Sequence, residues 1–202
     1  MKTITCLLAL LATAIAAAPV GTPKEDCCKE APPPAGPISA RSIYQLDAKF
    51  CADTGQCLPL ATLRGRPVVL AMFFASCGYA CPRLVTDMQA IRGRLPAELR
   101  DKAAFVLVSF DVERDTPGAL ADYRRQRALD GAWTLLHGDQ DAVSELAALL
   151  GVKFRREPSG NFAHSNLIAI LNAEGEVVHR REGLSGGLDE ATQAVMAAAT
   201  RK

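Results

Sequence analysis

An excess of charge of either sign is missing from this sequence. Its 202 residues carry 23 Lys and Arg against 22 Asp and Glu, which leaves a formal net charge of +1. A protein that binds nucleic acid through phosphate contacts needs a surplus of cationic side chains, and this chain has no such surplus. The composition therefore argues against nucleic-acid binding, and it also excludes an acidic disordered tail.

Aromatic residues are scarce as well, at 5%, whereas hydrophobic residues make up 49% of the chain. A chain of this length and apolar content fits one globular domain with an ordinary core. Because aromatic side chains are few, that core must be built mainly from Leu, Val, Ala and Ile. This composition suits a compact α/β domain without identifying which one.

An apolar run from Ile4 to Ala18 follows Lys2 near the amino terminus. It is shorter than the roughly 20 residues that a membrane-spanning helix needs, and small residues at its end resemble a cleavage site. We therefore predict a signal peptide over residues 1–18, with an uncleaved membrane anchor as the alternative. Either reading predicts export to the periplasm, or to the periplasmic face of the membrane if the segment is retained.

Residues 19–38 are rich in proline and contain almost no large apolar side chain. This composition favours an extended, semi-rigid tether, so the folded domain is predicted over residues 39–202. The tether contains the adjacent cysteines Cys27 and Cys28. Their spacing leaves open a soft-metal or redox role, pairing with another cysteine, or no function at all.

Strand and helix signals alternate after the tether. The turn Asp53-Thr54-Gly55 predicts an N-terminal hairpin between Ile43–Leu46 and Gln56–Leu58. The later order of elements predicts a thioredoxin-like α/β fold, with a central mixed sheet flanked by helices. The predicted elements are strands Pro67–Phe74 and Ala104–Phe110, helices Pro82–Leu95, Pro117–Leu129 and Asp141–Leu150, strands Asn166–Leu171 and Glu176–Arg181, and helix Asp189–Ala199.

Cys77 and Cys81 lie where the first central strand meets its helix. Binding sites in open α/β sheets form at this edge, and the unpaired amides and dipole of a helix start stabilise a thiolate. The short spacing, eased by Gly78, lets both sulfurs approach one point. A redox-active or metal-binding pair is therefore favoured over a purely structural disulfide.

The chain has only three histidines. His164 precedes the predicted strand Asn166–Leu171, in a loop that a thioredoxin-like sheet brings close to the start of the cysteine helix. It is therefore the candidate partner of the two cysteines. His137 and His179 are interpreted as ordinary structural or surface residues, because a lone histidine seldom has a functional role.

Three segments together resemble the SCO/SenC family: Cys77 to Pro82, Asp111 to Pro117, and Ala163 to Asn166. The resemblance spans Ile43 to the carboxyl terminus, with the three motifs in family order. It implies an exported, thioredoxin-fold copper-delivery protein that helps to assemble the copper A centre of cytochrome c oxidase. The implied partners are the copper A subunit of that oxidase, other copper carriers and thiol reductants.

The resemblance also implies roles for single residues. Cys77 and Cys81 become thiolate ligands and a redox pair, and His164 becomes the third ligand. Two thiolates suit Cu(I), and the imidazole helps the site to hold Cu(II) as well. A structural zinc site would need a fourth protein ligand, for which no motif of the folded domain offers a candidate. The chain departs from the family at Ala75, Gly78 and Ala163, where Thr, Pro and Asp are usual.

The motif after the second central strand has two parts. Thr116 and Pro117 fit the N-cap and first position of a helix, which is sufficient to explain them. Asp111, at the carboxyl end of the strand, is predicted to lie near the cysteine loop, where it could orient a neighbouring group or meet a basic surface of a partner.

Cys51 and Cys57 flank the predicted turn of the hairpin. In an oxidising compartment, two cysteines so placed and without a nearby histidine favour a structural disulfide. The alternative is a second redox or copper-relay pair that serves Cys77 and Cys81.

A second class of function is an exported thiol–disulfide oxidoreductase or thiol peroxidase-like enzyme that uses Cys77 and Cys81 without copper. A dithiol enzyme has no need of an imidazole across the cleft, so His164 favours the metal. A peroxidase would need a threonine beside its cysteine, and Ala75 occupies the nearest position. Copper delivery and thiol reduction can also coexist in one protein.

Overall fold

A seven-stranded mixed sheet organises the part of the chain described by the computed structural model, residues 36–200. The sheet has the strand order β2-β1-β5-β4-β3-β8-β9, and β6 and β7 form a separate two-stranded sheet. The strands are β1 (Lys49–Ala52), β2 (Cys57–Pro59), β3 (Val68–Phe73), β4 (Ala104–Ser109), β5 (Trp133–His137), β6 (Phe154–Arg156), β7 (Phe162–His164), β8 (Leu167–Leu171) and β9 (Val177–Glu182).

The predicted signal peptide (1–18) and most of the tether (19–38) lie outside the described residues, as do Cys6, Cys27 and Cys28. Within residues 36–200, no helix is long and apolar enough to cross a membrane.

The centre of the sheet is made by β3 and β4, whose residues are all buried. They pair in parallel, with Phe73 opposite Ser109, and β5 continues the parallel arrangement with Leu136 opposite Val108. Strands covered on both faces are apolar along their length rather than alternating, and both sequences follow this pattern except for Ser109 at the end of β4. The carboxyl ends of three parallel strands therefore meet at one edge of the sheet.

The helices that flank the sheet begin and end at recognisable residues. Thr116 caps α3, since its hydroxyl accepts a hydrogen bond from the amide of Ala119 at 3.3 Å, and Pro117 takes the first helical position as predicted. Gly151 ends α4 in the left-handed conformation, at φ 78°. The helices are α1 (Ala80–Arg94), α2 (Ala97–Arg100), α3 (Pro117–Gln126), α4 (Gln140–Leu150) and α5 (Leu188–Thr200).

The turn of the predicted hairpin is confirmed, but the segment predicted as its first strand, Ile43–Leu46, is not a strand. Ile43–Gln45 form a short 3-10 helix, because the hydroxyl of Ser42 accepts a hydrogen bond from the amide of Tyr44 at 3.1 Å and caps its start. The strand that pairs with β2 is Lys49–Ala52 instead. Strands β5, β6 and β7 were not predicted.

The β1–β2 hairpin is anchored on the body of the domain at its turn. The buried carboxylate of Asp53 forms an ion pair with Arg124 of α3, whose guanidinium also donates to the carbonyl of Trp133 at 2.9 Å. Trp133, the single tryptophan of the chain, is buried at the start of β5 with its ring 5.3 Å from that of Phe105. These contacts fix the hairpin against the end of the sheet opposite to the carboxyl edge.

Candidate metal centre

Cys77 and Cys81 lie at the carboxyl edge of the parallel strands. The chain leaves β3 at Phe73, makes a tight turn in which the amide of Cys77 donates to the carbonyl of Phe74 at 3.2 Å, and enters α1 at Ala80. Cys81 is the second residue of α1 and is fully buried, whereas Cys77 is half-buried in the loop. Both are free thiols.

The helix starts two residues earlier than predicted. Ala80 is the first helical residue, so Pro82 occupies the third position rather than the first. Proline is tolerated there because the first turn of a helix has amides without intrahelical acceptors. One such amide, that of Cys81, donates to the Sγ atom of Cys77 at 3.3 Å.

His164 is carried by the small β6–β7 sheet and ends β7, rather than lying in a loop as predicted. It stands opposite Phe154 in the pairing of the two strands. Its Nε2 atom lies 3.9 Å from the Sγ atom of Cys81, and its Nδ1 atom lies 3.1 Å from the carbonyl oxygen of Ser165. A proton on Nδ1 would be donated to that carbonyl, which directs the Nε2 lone pair toward the sulfur.

The structure therefore brings together the three side chains that the sequence analysis singled out. The ligand atoms of Cys77, Cys81 and His164 all lie within 4.8 Å of one another. No other group of three or more His, Cys, Asp or Glu side chains with this geometry occurs among residues 36–200.

The pKa values of the two thiols are shifted in opposite directions. The pKa of Cys77 is lowered to about 4, chiefly because it accepts a hydrogen bond from the Cys81 thiol, and the amides of Cys81 and Tyr79 add to this effect. The pKa of Cys81 is raised well above its ordinary value, because its proton is held by Cys77 and because the group is buried. Over a wide pH range the pair therefore carries one proton and one negative charge.

An aromatic cluster surrounds the imidazole. The ring of His164 lies 5.2 Å from that of Phe110 and 5.8 Å, edge to face, from that of Phe74. Phe154 and Phe162, from the small sheet, pack against Phe110 at 5.1 Å each. These rings limit the orientations open to the imidazole.

Asp111 supports the strand that carries His164 and does not hydrogen-bond to the cysteine loop. Its buried carboxylate forms an ion pair with Arg114. Arg114 in turn donates to the carbonyl of Gly160 at 2.7 Å and places its guanidinium 5.9 Å from the ring of Phe162. The carboxylate predicted to act beside the thiols instead fixes the β6–β7 hairpin.

Asp115 is the carboxylate that reaches the cysteine loop, a role that was not predicted from the sequence. Its Oδ2 atom accepts hydrogen bonds from the amide of Ala75 at 2.8 Å and from the hydroxyl of Ser109. Burial raises its pKa, and its charge contributes to the raised pKa of Cys81. Its position directly before Thr116, at the carboxyl edge of the sheet, could have indicated this role. The helix cap formed by Thr116 was, however, sufficient to explain the motif.

Within residues 36–200, the remaining cysteines and histidines lie elsewhere in the main sheet. Cys51 and Cys57 form a disulfide across the β1–β2 hairpin. The expectation that no histidine lies near them is wrong, because His137 stands opposite Cys51 in the pairing of β1 with β5. Burial lowers the pKa of His137. His179 lies in β9, in a strand of alternating exposure as predicted, but its Nε2 atom is buried.

A thioredoxin-like sheet that presents two thiols at a helix start, with one imidazole facing them, defines a class of thiol proteins suited to soft metals and to disulfide exchange. The comparison with known families narrows this class. The model of the SCO1/SenC family matches residues 40–199, and the chain belongs to this family.

Individual relatives agree with this assignment. A protein of Stutzerimonas stutzeri named "Putative copper-binding protein" is 31% identical over 141 residues, which are 68% of this chain and 67% of the relative. The copper-bound structure of Arabidopsis thaliana ScoI superposes with a TM-score of 0.64 at 19% identity, over 75% of this chain and 94% of that one. BsSco, described as a member of the Sco family of cytochrome c oxidase assembly proteins with a disulfide switch, gives a TM-score of 0.67 at 23% identity, over 78% and 94% of the two chains. These neighbours confirm the predicted thioredoxin-like fold.

Proposed function

We propose that this protein is an exported copper carrier that binds copper through Cys77, Cys81 and His164 and delivers it to the copper A site of cytochrome c oxidase. The observation that carries the proposal is the convergence of two sulfur atoms and one ring nitrogen within 4.8 Å, in a member of the SCO1/SenC family. Copper is the metal held by relatives of this fold.

The donor set suits copper better than zinc. Thiolates are soft donors that favour Cu(I), and a neutral imidazole adds a donor that Cu(II) accepts. A structural zinc site takes four protein ligands, whereas the group found among residues 36–200 has three. An incomplete ligand set also suits a carrier, because an incoming donor from a partner has a free coordination position.

The state of the thiols makes uptake and release possible near neutral pH. Cys77 is already a thiolate, so copper has to displace only the proton of Cys81. Cys77 is the more accessible of the two sulfurs, and the neighbouring ring of Tyr79 is 69% exposed. We infer that a partner approaches from the side of Cys77 and Tyr79, while buried Cys81 retains the metal until the exchange is complete.

The proposed location and target rest on different supports. Export to the periplasm is supported by the apolar run Ile4–Ala18 and by the proline-rich segment that follows it. The oxidase target is supported by the family and by the description of BsSco as an assembly protein. Copper carriers that load this protein and thiol reductants that keep it reduced are the further partners that the chemistry requires.

The test is a copper titration of protein in which Cys77 and Cys81 are reduced while the Cys51–Cys57 disulfide is intact, by competition with a chromogenic Cu(I) chelator. The Cys77→Ser/Cys81→Ser double variant should lose the tight site, while His179→Ala, a matched histidine on β9, should retain it. The copper-loaded protein should then transfer its metal to a soluble copper A domain, seen by the visible spectrum of that domain. Tight binding by the double variant, or no transfer to the domain, would contradict the proposal.

A second candidate is a thiol–disulfide oxidoreductase, which the low pKa of Cys77 favours. In this reaction the Cys77 thiolate attacks a partner disulfide and releases one partner thiolate, which takes up a proton. Cys81, losing its proton, then attacks the mixed disulfide. The partner leaves as a dithiol and this protein as the Cys77–Cys81 disulfide. His164→Ala separates the two functions, since it should weaken copper binding but leave disulfide exchange in place.

A further inference from the structure

A second set of two cysteines and one histidine lies in one cross-strand row of the main sheet. Cys51 of β1 stands opposite Cys57 of β2 on one side and opposite His137 of β5 on the other. Residues paired in this way in antiparallel strands project to the same face, with Cβ atoms about 4.5–5.5 Å apart. Two sulfur atoms and one imidazole are therefore neighbours on one face of the sheet.

The row is open at its cysteine end. Cys57 is exposed on β2, the edge strand of the sheet, and Cys51 is half-buried. Phe50 and Ala52, which flank Cys51 in β1 and project to the opposite face, are both buried. A reductant or a metal ion can thus reach the sulfur atoms from solvent without disturbing the core on the other face.

His137 has a ring nitrogen that the folded domain does not use. Its Nε2 atom is buried and has no hydrogen-bond partner within residues 36–200. A buried polar atom without a partner is costly, so its presence needs an explanation. A disulfide has no hydrogen to donate to this imidazole and binds metals poorly, whereas the reduced thiols could donate a hydrogen bond to it or bind a metal ion together with it.

We propose that reduction of the Cys51–Cys57 disulfide creates a second soft-metal site, in which the two thiolates and the imidazole of His137 bind Cu(I). A dithiol reductant breaks the S–S bond and becomes a disulfide itself, while each protein sulfur gains one hydrogen. Cu(I) then binds as the two thiols release their protons. In the oxidised protein the imidazole is left alone and binds no copper tightly.

The second site opens toward the same edge of the sheet as the first. His137 is the last residue of β5, just after Leu136, which pairs with Val108 of β4. The loop that carries Cys77 leaves β3 after Phe73, which pairs with the last residue of β4, Ser109. Both sites therefore lie at the carboxyl ends of the parallel strands. β1 is three strands away from β3, which is roughly 14 Å at about 4.8 Å per strand. The site uses no residue of the first centre and does not depend on the function proposed for that centre.

The experiment uses the full chain with Cys6, Cys27, Cys28, Cys77 and Cys81 replaced by serine, which leaves Cys51 and Cys57 as the remaining pair of the seven cysteines. The protein is studied as purified with its disulfide and again after reduction with a phosphine, which takes oxygen from water and is then removed. Cu(I) binding is measured by competition with a chromogenic chelator. We expect one tightly bound Cu(I) per chain after reduction and none before it.

His137→Ala in this background should weaken binding roughly tenfold or more, since even groups that only orient a ligand often contribute that much. His179→Ala is the matched control and should bind like the background, because His179 also has a buried Nε2 atom without a partner but lies on β9. Alkylation of the reduced thiols should abolish binding. Circular dichroism shows whether each variant is folded.

X-ray absorption of the copper-loaded background provides a test that needs no variant. Sulfur and nitrogen donors together are expected, and a shell of sulfur alone would remove His137 from the site. Equal copper binding by the oxidised and reduced background would overturn the proposal, as would full affinity in a folded His137→Ala variant.

Discussion

The Nε2 atom of His164 lies 3.9 Å from the Sγ atom of Cys81, although the two residues are 83 positions apart. They are held by different parts of the fold. Cys81 is buried in the first turn of α1, whereas His164 belongs to a two-stranded sheet that pairs with no strand of the main one. The cysteine pair and the third donor can therefore be perturbed separately, which the following predictions use.

His164→Ala should weaken Cu(I) binding roughly tenfold, about 1.4 kcal/mol, and should change the Cu(II) spectrum, because one of three donors is lost while both thiolates remain. Chelator competition and visible absorption measure the two effects. His137→Ala, measured with the Cys51–Cys57 disulfide intact, is the control and should leave both unchanged. Unaltered binding and spectra in His164→Ala would show that the imidazole is not a ligand.

Oxidation of Cys77 and Cys81 to a disulfide should block copper uptake. A disulfide has no thiolate charge, so only the imidazole would remain as a donor. The oxidised protein, verified by mass spectrometry, should bind copper only after reduction. If it took up copper as tightly as the reduced form, the site would lie elsewhere, and Cys27 and Cys28 would be the first residues to replace.

Arg114→Ala should destabilise the protein by about 2–3 kcal/mol, because it leaves the buried carboxylate of Asp111 without its cation. The β6–β7 hairpin also loses the hydrogen bond to Gly160, so its amides should exchange faster with solvent. Denaturant unfolding and hydrogen exchange measure these effects. Arg156→Ala is the matched control: Arg156 lies on β6 and its ion pair to Glu113 is exposed, so its removal should leave the free energy of unfolding almost unchanged. Similar losses in both variants would contradict a special role for Arg114.

The pH dependence of alkylation of the reduced protein should follow the low pKa of Cys77. Because its pKa is about 4, reaction with iodoacetamide at Cys77 should persist well below pH 7 and fall away as the pH approaches 4. Cys81, with a raised pKa, should stay unreactive at neutral pH. Peptide mapping after short exposure at each pH identifies the modified cysteine. A midpoint near pH 8.5, the value of a free thiol, would contradict this assignment.

The same acidities predict how the stability of the reduced protein depends on pH. Ionised Cys77 stabilises the fold above the pKa of an unfolded thiol, and this contribution disappears as the pH falls toward 4. Protonated Cys81 contributes in the opposite sense: its stabilisation is complete below the pKa of an unfolded thiol and is lost as the pH rises beyond it. Urea unfolding of wild type and of Cys77→Ser/Cys81→Ser across this range should show both effects in the wild type alone.

Replacing Cys51 and Cys57 by serine should lower the free energy of unfolding by about 2 kcal/mol, since the disulfide closes only a short loop of chain. The ion pair between Asp53 and Arg124 should keep the hairpin in place, so the native circular dichroism should be preserved. Denaturant unfolding under non-reducing conditions measures the difference. An unchanged stability would show that the disulfide does not constrain the unfolded chain.

The sequence predicted the fold where strands are continuous and apolar. β3 and β4 were recognised because both are buried along their whole length, and α3 because Thr116 and Pro117 mark its start. β6 and β7 were missed because they have three residues each, too few for a periodic pattern. β5 was missed because Trp133–His137 lacks both the uniform and the alternating pattern.

The donor residues of the candidate site could be predicted from the sequence, but the carboxylates that hold its loops in place could not. Cys77 and Cys81 are marked by their place between a strand and a helix, and the motif around His164 completes the set. The roles of Asp111 and Asp115 depend on tertiary contacts, namely which of two nearby carboxylates meets Arg114 and which meets the amide of Ala75. The pairing of His137 with Cys51 likewise depends on strand order, which no local pattern shows.

The single tryptophan gives the molecule one natural fluorophore, and its place decides what fluorescence can report. Trp133 begins β5, whereas the candidate metal centre lies beyond the opposite end of the parallel strands, at least about 13 Å away along the strand direction. Its emission therefore senses the packing around Phe105 and Arg124 rather than the proposed copper ligands. A change in tryptophan emission on copper addition would then signal a rearrangement that reaches across the whole sheet.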